Sequence, residues 1–293
     1  MDAADPTPIR LAAALRDAAT ALAAAGVPDP DVDAQLLAGH VLGLGRGGVQ
    51  AAAIRGDELD TTHVGRLREL VARRAGREPL QHLTGVAPFR QLELAVGPGV
   101  FVPRPETEIV AQLAIDALAA VPSARPRAVD LGTGSGAIAL ALATEVPYAE
   151  VWALERSADA AVWAHRNIDR LGDGRVHLLI GDLAAPPAEL NGTIDVVVSN
   201  PPYVPDDAVP RDPEVRLFDP PQALYGGEDG LDVVRVLSLV GLRLARPGGA
   251  IVIEHGEWQG EAVRAVLAAD GWRGASTHPD LTTRDRATTA TRP

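Results

Sequence analysis

The chain has 293 residues, 27 basic against 39 acidic, and a formal net charge of −12, with 46% hydrophobic and 23% charged residues. That is the composition of a folded globular protein with one large domain or two smaller ones, and its acidity speaks against stable nucleic-acid binding. Cys is 0 and every basic residue is Arg, which excludes disulfides, thiolate nucleophiles, cysteine-held metal centres, Schiff-base lysines and Gly-Lys-Ser/Thr phosphate loops.

Residues 1–80 read as a helical domain. Ile9, Leu11, Leu15, Ala18, Ala19 and Leu22 recur at helical spacing after a Thr7-Pro8 cap. Asp2, Asp5 and Asp17 are unlike a secretion signal or a transit peptide. Val32, Leu36, Leu37, His40 and Val41 mark a second helix, Asp31 to Leu42, and Gly43 to Gly48 reads as a breaker. A third helix, Asp60 to Arg77, turns Val64, Leu67, Leu70 and Val71 inward. Its Arg66, Arg68, Arg73, Arg74 and Arg77 read as a solvated basic face, or as a docking surface for an acidic or RNA-bearing partner.

Residues 81–104 are extended and punctuated by Pro88, Gly97-Pro98-Gly99 and Pro103, the texture of a β-hairpin linker. After the helix Glu106 to Ala120, strands alternate with helices through 105–293. Strands are expected at 128–131, 150–154, 176–180, 194–199 and 250–253, and two more at 275–278 and 287–290. The near-continuous Val of 194–199 marks a strand buried on both faces. The alternation implies an α/β fold with a mostly parallel, doubly wound sheet. No apolar run reaches the roughly 20 residues of a membrane span, and a cytoplasmic protein is the expectation.

Two turns carry the chemistry. Asp130-Leu131-Gly132-Thr133-Gly134-Ser135-Gly136 links a strand to a helix, where glycines let a ligand approach backbone N–H groups. Its G-x-G-x-G form is not the G-x-G-x-x-G of dinucleotide folds. Glu155 ends the next strand, placed to accept from two ribose hydroxyls, and Asp182 follows the third strand, within reach of an adenine amino group. Three acids suit a nucleoside without phosphate and tolerate a sulfonium with its ammonium, which fits S-adenosylmethionine. The second turn, Asn200-Pro201-Pro202-Tyr203, follows the Val strand. The Asn amide and the Pro201 carbonyl can accept from a planar N–H₂ that stacks on Tyr203, while Pro202 stiffens the turn. Asn200 also borders the cofactor side of the pocket. The seven His residues (40, 63, 82, 165, 177, 255 and 278) show no metal-ligand spacing, and no metal is expected.

These motifs, with Phe101-Val-Pro-Arg-Pro-Glu-Thr-Glu108, Gly226-Gly-Glu-Asp-Gly-Leu231 and Ile253-Glu-His-Gly-Glu-Trp-Gln259, resemble the HemK/PrmC family over most of the chain. The resemblance implies a Rossmann-like class I S-adenosylmethionine-dependent methyltransferase sheet of seven strands. It implies methyl transfer to the glutamine amide of the Gly-Gly-Gln loop of class 1 peptide chain release factors, with S-adenosylhomocysteine as by-product. By position, Gly132 to Gly136, Glu155 and Leu183 would hold the cofactor, and Asn200 to Tyr203 the glutamine. Glu155 and Leu183 depart from the family's usual Asp and aromatic residue. Rival readings are an adenine or cytosine amino-group methyltransferase on DNA or RNA, and a scaffold without activity. Glu254 and Gln259 are expected to wall the site, and the four Trp to be core or boundary residues.

Overall fold

A computed structural model describes residues 8–293; Asp2, Asp5 and the Thr7 cap lie outside the described residues. The chain divides into two compact units. The first runs to Gly85 and takes in Pro210–Phe218, and the second comprises Val86–Val209 and Asp219–Pro293.

In the first unit a two-residue strand β1 (Ile9–Arg10) pairs antiparallel with β2 (Glu58–Leu59). Helices α1 (Leu11–Ala24), α2 (Pro30–Leu42), α3 (Arg46–Arg55), α4 (Thr61–Ala75) and α5 (Leu80–Thr84) enclose Leu11, Leu22, Leu37, Val49, Leu67 and Leu70. The periodic apolar positions of α1 and α4 are buried, Leu15 only partly, and the Asp60 carboxylate caps α4 by accepting from the His63 N–H at 2.8 Å. The expected breaker at Gly43 to Gly48 is corrected: α3 starts inside it. Gly47 and Gly48 fall in the first turn, and burial of Val49 and Ala52 outweighs their poor helix propensity.

The basic face of α4 is also not all solvated. Arg66 pairs with Glu69 and Arg73 with Glu78 at the surface. Arg74 is buried, and it donates to Asp33 at 2.7 Å and to Glu214 at 2.7 Å. Arg77 donates to the other Glu214 oxygen at 2.6 Å. These bonds seat a short helix, α9 (Pro213–Phe218).

The second unit opens with a hairpin, β3 (Val86–Phe89) and β4 (Leu92–Ala95), followed by α6 (Thr107–Ala119). Then come β5 (Arg127–Leu131), α7 (Ala137–Glu145), β6 (Glu150–Glu155), α8 (Ala158–Leu171), β7 (Val176–Ile180) and β8 (Ile194–Ser199). The unit ends with α10 (Asp232–Leu244), β9 (Ala245–Glu254), α11 (Gly260–Asp270), β10 (Arg273–Pro279) and β11 (Asp285–Thr291). The seven-stranded sheet has the order β10-β11-β9-β8-β5-β6-β7. Only β11 runs antiparallel to its neighbours β9 and β10.

One apolar cluster takes residues of α6, α7 and α8 against one face of this sheet; a second takes α10 and α11 against the other. With both faces covered, all six residues of β8 are buried, as its Val content implies. Strand order reverses between β5 and β8, and ligands of doubly wound sheets sit beyond the carboxyl ends of the strands at such a point. Both chemistry-bearing turns begin there. No helix of the described residues is long and apolar enough to cross a membrane.

Candidate active site

The glycine turn is built from the end of β5 outward. The N–H groups of Gly132 and Thr133 donate to the Leu154 carbonyl on β6 at 2.8 and 2.9 Å, which folds the turn over the neighbouring strand. Gly132 and Gly134 have φ of 79° and 57°, and a Cβ on either would meet nothing within 4 Å. Backbone at these positions therefore borders open space. Gly136, at φ 87°, packs instead against Leu140 and Ile168 at the start of α7.

Two carboxylates hold the turn. Asp130 accepts from the Thr133 hydroxyl at 2.6 Å and the Ala139 N–H at 3.1 Å, both on Oδ2. Its Oδ1 is buried without a partner, and burial raises its carboxyl pKa to about 7. Glu155 accepts from the Gly134 N–H at 2.8 Å and from the Ser157 N–H at 2.7 Å, one on each oxygen. Each Glu155 oxygen keeps acceptor capacity for a hydroxyl. The fully buried Asn167 of α8 donates to the Ser135 carbonyl at 2.9 Å.

The second turn leaves β8 beside the first. The Ser199 hydroxyl donates to the Leu131 carbonyl at 2.6 Å, joining the two strand ends. Asn200 Nδ2 donates to Thr107 Oγ1 at 3.2 Å, which leaves Asn200 Oδ1 to accept elsewhere. Gly226 and Gly230 press on the backbone behind the turn: a Cβ at Gly226 would lie 2.4 Å from the Pro202 oxygen, and one at Gly230 2.2 Å from the Tyr203 oxygen. Gln259 Nε2 donates to that Tyr203 oxygen at 3.0 Å, and Gln259 Oε1 accepts from the Gly256 N–H at 2.8 Å. The Tyr203 hydroxyl donates to Glu254 Oε1 across a long 3.4 Å, and burial raises the pKa of both groups, Glu254 to about 7.

Asp182 is exposed and spends Oδ1 on the Ala184 N–H at 2.9 Å, while Leu183 packs on the apolar cluster of Val129 and Leu154. Arg104 forms an ion pair with buried Asp219 at 2.6 Å and lies over the Phe101 ring. Trp272 is core, but Trp258 is 89% exposed, against expectation. His255 is buried and bonded to Gly256 and Thr288. Among the described residues no cluster of His, Cys, Asp or Glu could hold a metal ion. A cleft of about 230 Å³ lies between Arg90, Glu106 and Ile109 and the turn at Asp280–Thr282, and no residue of either turn lines it.

Sequence reasoning missed three contributors. Ser199 sits beside a quoted motif and Thr107 within one, the Phe101–Glu108 segment, but neither carries a signal of its own. Asn167 had one: it continues the stripe of Ala160 and Ala164 on α8, a polar residue at a core position.

A seven-stranded sheet of this order, with a glycine turn after β5 beside its central strand β8 and acids at successive strand ends, defines a class I methyltransferase. In fold alone it is similar to a methyltransferase from Pyrococcus furiosus (TM-score 0.52, 19% identity, 69% of this chain and 90% of that one). Residues 13–85 match the PrmC N-terminal domain model and residues 91–222 the methyltransferase small domain model. The chain is 49% identical to the release factor glutamine methyltransferase of Streptomyces coelicolor, over 96% of this chain and 97% of that one. It belongs to the release factor glutamine methyltransferase family. It is also 39% identical, over 100% of this chain and 97% of that one, to a 4-amino-L-phenylalanine/4-methylamino-L-phenylalanine methyltransferase of Streptomyces pristinaespiralis.

Proposed function

We propose that this protein transfers a methyl group from S-adenosylmethionine to the side-chain amide nitrogen of the glutamine in the Gly-Gly-Gln loop of class 1 peptide chain release factors. The observation that carries the reading is the bond from Ser199 to Leu131, which sets the Asn200 turn beside the glycine turn. The helical unit would receive the release factor, and the cytoplasm is where such a partner is met.

The residues fit the cofactor. The open backbone at Gly132 and Gly134, with Thr133, Ser135 and Gly136, would line its amino-acid portion. Asp130, with one buried oxygen unpartnered, suits an ammonium nearby. Glu155 has acceptor capacity for ribose hydroxyls, and Asp182 and Leu183 would border the adenine. When bound, S-adenosylmethionine supplies a sulfonium methyl, electrophilic without further activation.

An amide nitrogen is a weak nucleophile because its lone pair is delocalised into the carbonyl. The protein's task is therefore placement, with nitrogen and methyl carbon about 3–3.5 Å apart and in line with sulfur. Asn200 Oδ1 and the Pro201 carbonyl would accept the two N–H bonds, and this favours positive charge developing on nitrogen. Pro202 fixes the turn, and Tyr203 offers a flat face to the carboxamide. No general base is required before transfer, because the proton can leave the nitrogen afterwards.

A second reading, an arylamine as acceptor, draws on the Streptomyces pristinaespiralis relative, since a turn that grips one planar amine can grip another. The test is transfer of labelled methyl from S-adenosylmethionine to a release factor, its Gln-to-Ala variant, duplex DNA and 4-aminophenylalanine. Label on the intact release factor alone, located by mass spectrometry on the Gly-Gly-Gln peptide, is the expected result. Label on DNA or on the arylamine alone overturns it.

A further inference from the structure

We infer that the side-chain amide of Gln259 is the positioning group that holds the Asn200 turn where it can grip the methyl acceptor. The inference rests on the reading that this turn receives the substrate amide.

The turn has few bonds of its own. Pro201 and Pro202 carry no N–H, and the proposed reaction gives the Pro201 carbonyl to the substrate. The segment must therefore be held from outside. Its entry is fixed by Ser199, which donates to the Leu131 carbonyl at 2.6 Å, and by Asn200, which donates to Thr107 at 3.2 Å. Past its exit, the Val204 N–H donates to the Leu224 carbonyl at 2.8 Å, and the Val204 carbonyl accepts from the Gly226 N–H at 2.9 Å. Between these two anchorages the Tyr203 carbonyl accepts from Gln259 Nε2 at 3.0 Å.

Gln259 occupies the N-cap of α11, yet its side chain makes no capping bond. The carboxamide reaches away from its own helix instead. Nε2 donates a second time, to the Asp229 carbonyl at 3.2 Å, and Oε1 accepts from the Gly256 N–H at 2.8 Å. Its orientation follows from its partners. Two carbonyls can only accept and a backbone N–H can only donate, so turning the amide over would break all three bonds. Gly230 makes room for the reach, since a Cβ there would lie 2.7 Å from Gln259 Nε2. Asp229, through its carboxylate, is braced in turn by Arg235. One carboxamide thus joins the acceptor turn, the loop at 226–231 and the turn that follows β9. Because two prolines stiffen the segment, a shift of the Tyr203 carbonyl carries the Pro201 carbonyl and the Tyr203 ring with it. A misplacement of about 1 Å is enough to cost about 10²-fold in rate.

The test uses the full-length protein, S-adenosylmethionine and a release factor. Gln259→Glu keeps the length of the side chain and the acceptor for Gly256, but sets an oxygen against the carbonyls of Tyr203 and Asp229. It should lower kcat about ten- to hundredfold, while KM and calorimetric affinity for S-adenosylmethionine stay within about twofold of wild type. Amide hydrogen exchange reads the turn apart from activity. The Val204 N–H should exchange about tenfold faster than in wild type or more, and the Gly132 N–H of the glycine turn at its wild-type rate. Wild-type kcat in Gln259→Glu, beside an Asn200→Ala variant that has lost activity, overturns the positioning role alone. Cofactor affinity that falls in step with kcat also overturns it, because the whole site is then disturbed. Wild-type kcat in Asn200→Ala overturns the underlying reading of the site. Should Gln259→Glu fail to fold, Gln259→Met, of similar length but without a donor, decides. Wild-type kcat and Val204 exchange in that variant overturn the inference, and a fall in kcat with faster Val204 exchange at intact cofactor affinity supports it.

Discussion

The Asn167 side chain donates to the Ser135 carbonyl at 2.9 Å, and through the same amide it exchanges hydrogen bonds with the backbone of Ala95 at 2.7 and 2.9 Å. One buried carboxamide thus ties the glycine turn to the end of the β3–β4 hairpin. Asn167→Ala leaves three buried backbone groups unpaired. We expect a loss of about 2–4 kcal/mol in unfolding free energy, read by urea titration, and weaker S-adenosylmethionine binding by calorimetry. Unchanged stability would show that water replaces the amide.

Glu155 holds two backbone N–H groups and faces the proposed ribose position. Glu155→Ala should weaken S-adenosylmethionine binding about tenfold or more. Asn200→Ala, measured the same way, should bind within about twofold of wild type while its methyl-transfer rate falls about 10²-fold or more. Equal loss of binding in both variants would remove the distinction between cofactor and acceptor sides.

Asp130 gives a pH signature. Its folded pKa, about 7, lies above the unfolded value near 3.8. Between these pH values the folded state holds a proton that the unfolded state has lost, so this group makes stability fall as pH rises from about 4 to 7, with no further change above. Asp130→Asn does not titrate. The stability of Asp130→Asn relative to wild type should therefore climb across that window, by at most roughly 4 kcal/mol, and then level off. A difference independent of pH, from urea titrations at pH 4, 5.5, 7 and 8, would contradict the assignment.

Arg74 is the buried cation of the first unit, shared by Asp33 and Glu214. Arg74→Ala leaves two acids facing each other without it, and about 3–5 kcal/mol should be lost. Arg68→Ala, on the exposed side of α4, should change stability by no more than about 0.5 kcal/mol. Circular dichroism should follow the transition, since all four Trp belong to the second unit.

The parts of this molecule that sequence makes legible are those with a period or a required backbone geometry. The Val strand of 194–199, the stripe of α4 and the glycines of the first turn announce themselves because a sheet core, a helix face and a positive φ each demand particular residues. Burial inverted the reading elsewhere. Arg74 looks like any solvated Arg until Glu214, 140 positions away, is seen to reach it. Trp258 has the composition of a core residue yet stands in solvent. Thr107 could not be singled out because its bond to Asn200 joins positions 93 residues apart. Gly226 and Gly230 were visible as glycines, but the backbone they back, at Pro202 and Tyr203, was not.

The stretch Pro210–Phe218 belongs to the first unit although the sequence on either side of it belongs to the second. The polypeptide therefore passes from one unit to the other three times, after Gly85, Val209 and Phe218. Severing the chain at the first passage leaves Arg74 and Arg77 without Glu214 in one fragment, and an orphaned nine-residue excursion in the other. Cutting after Gly85 is thus no clean separation of modules, and a faithful excision of the helical part would have to carry that distant excursion along, joined by a designed splice.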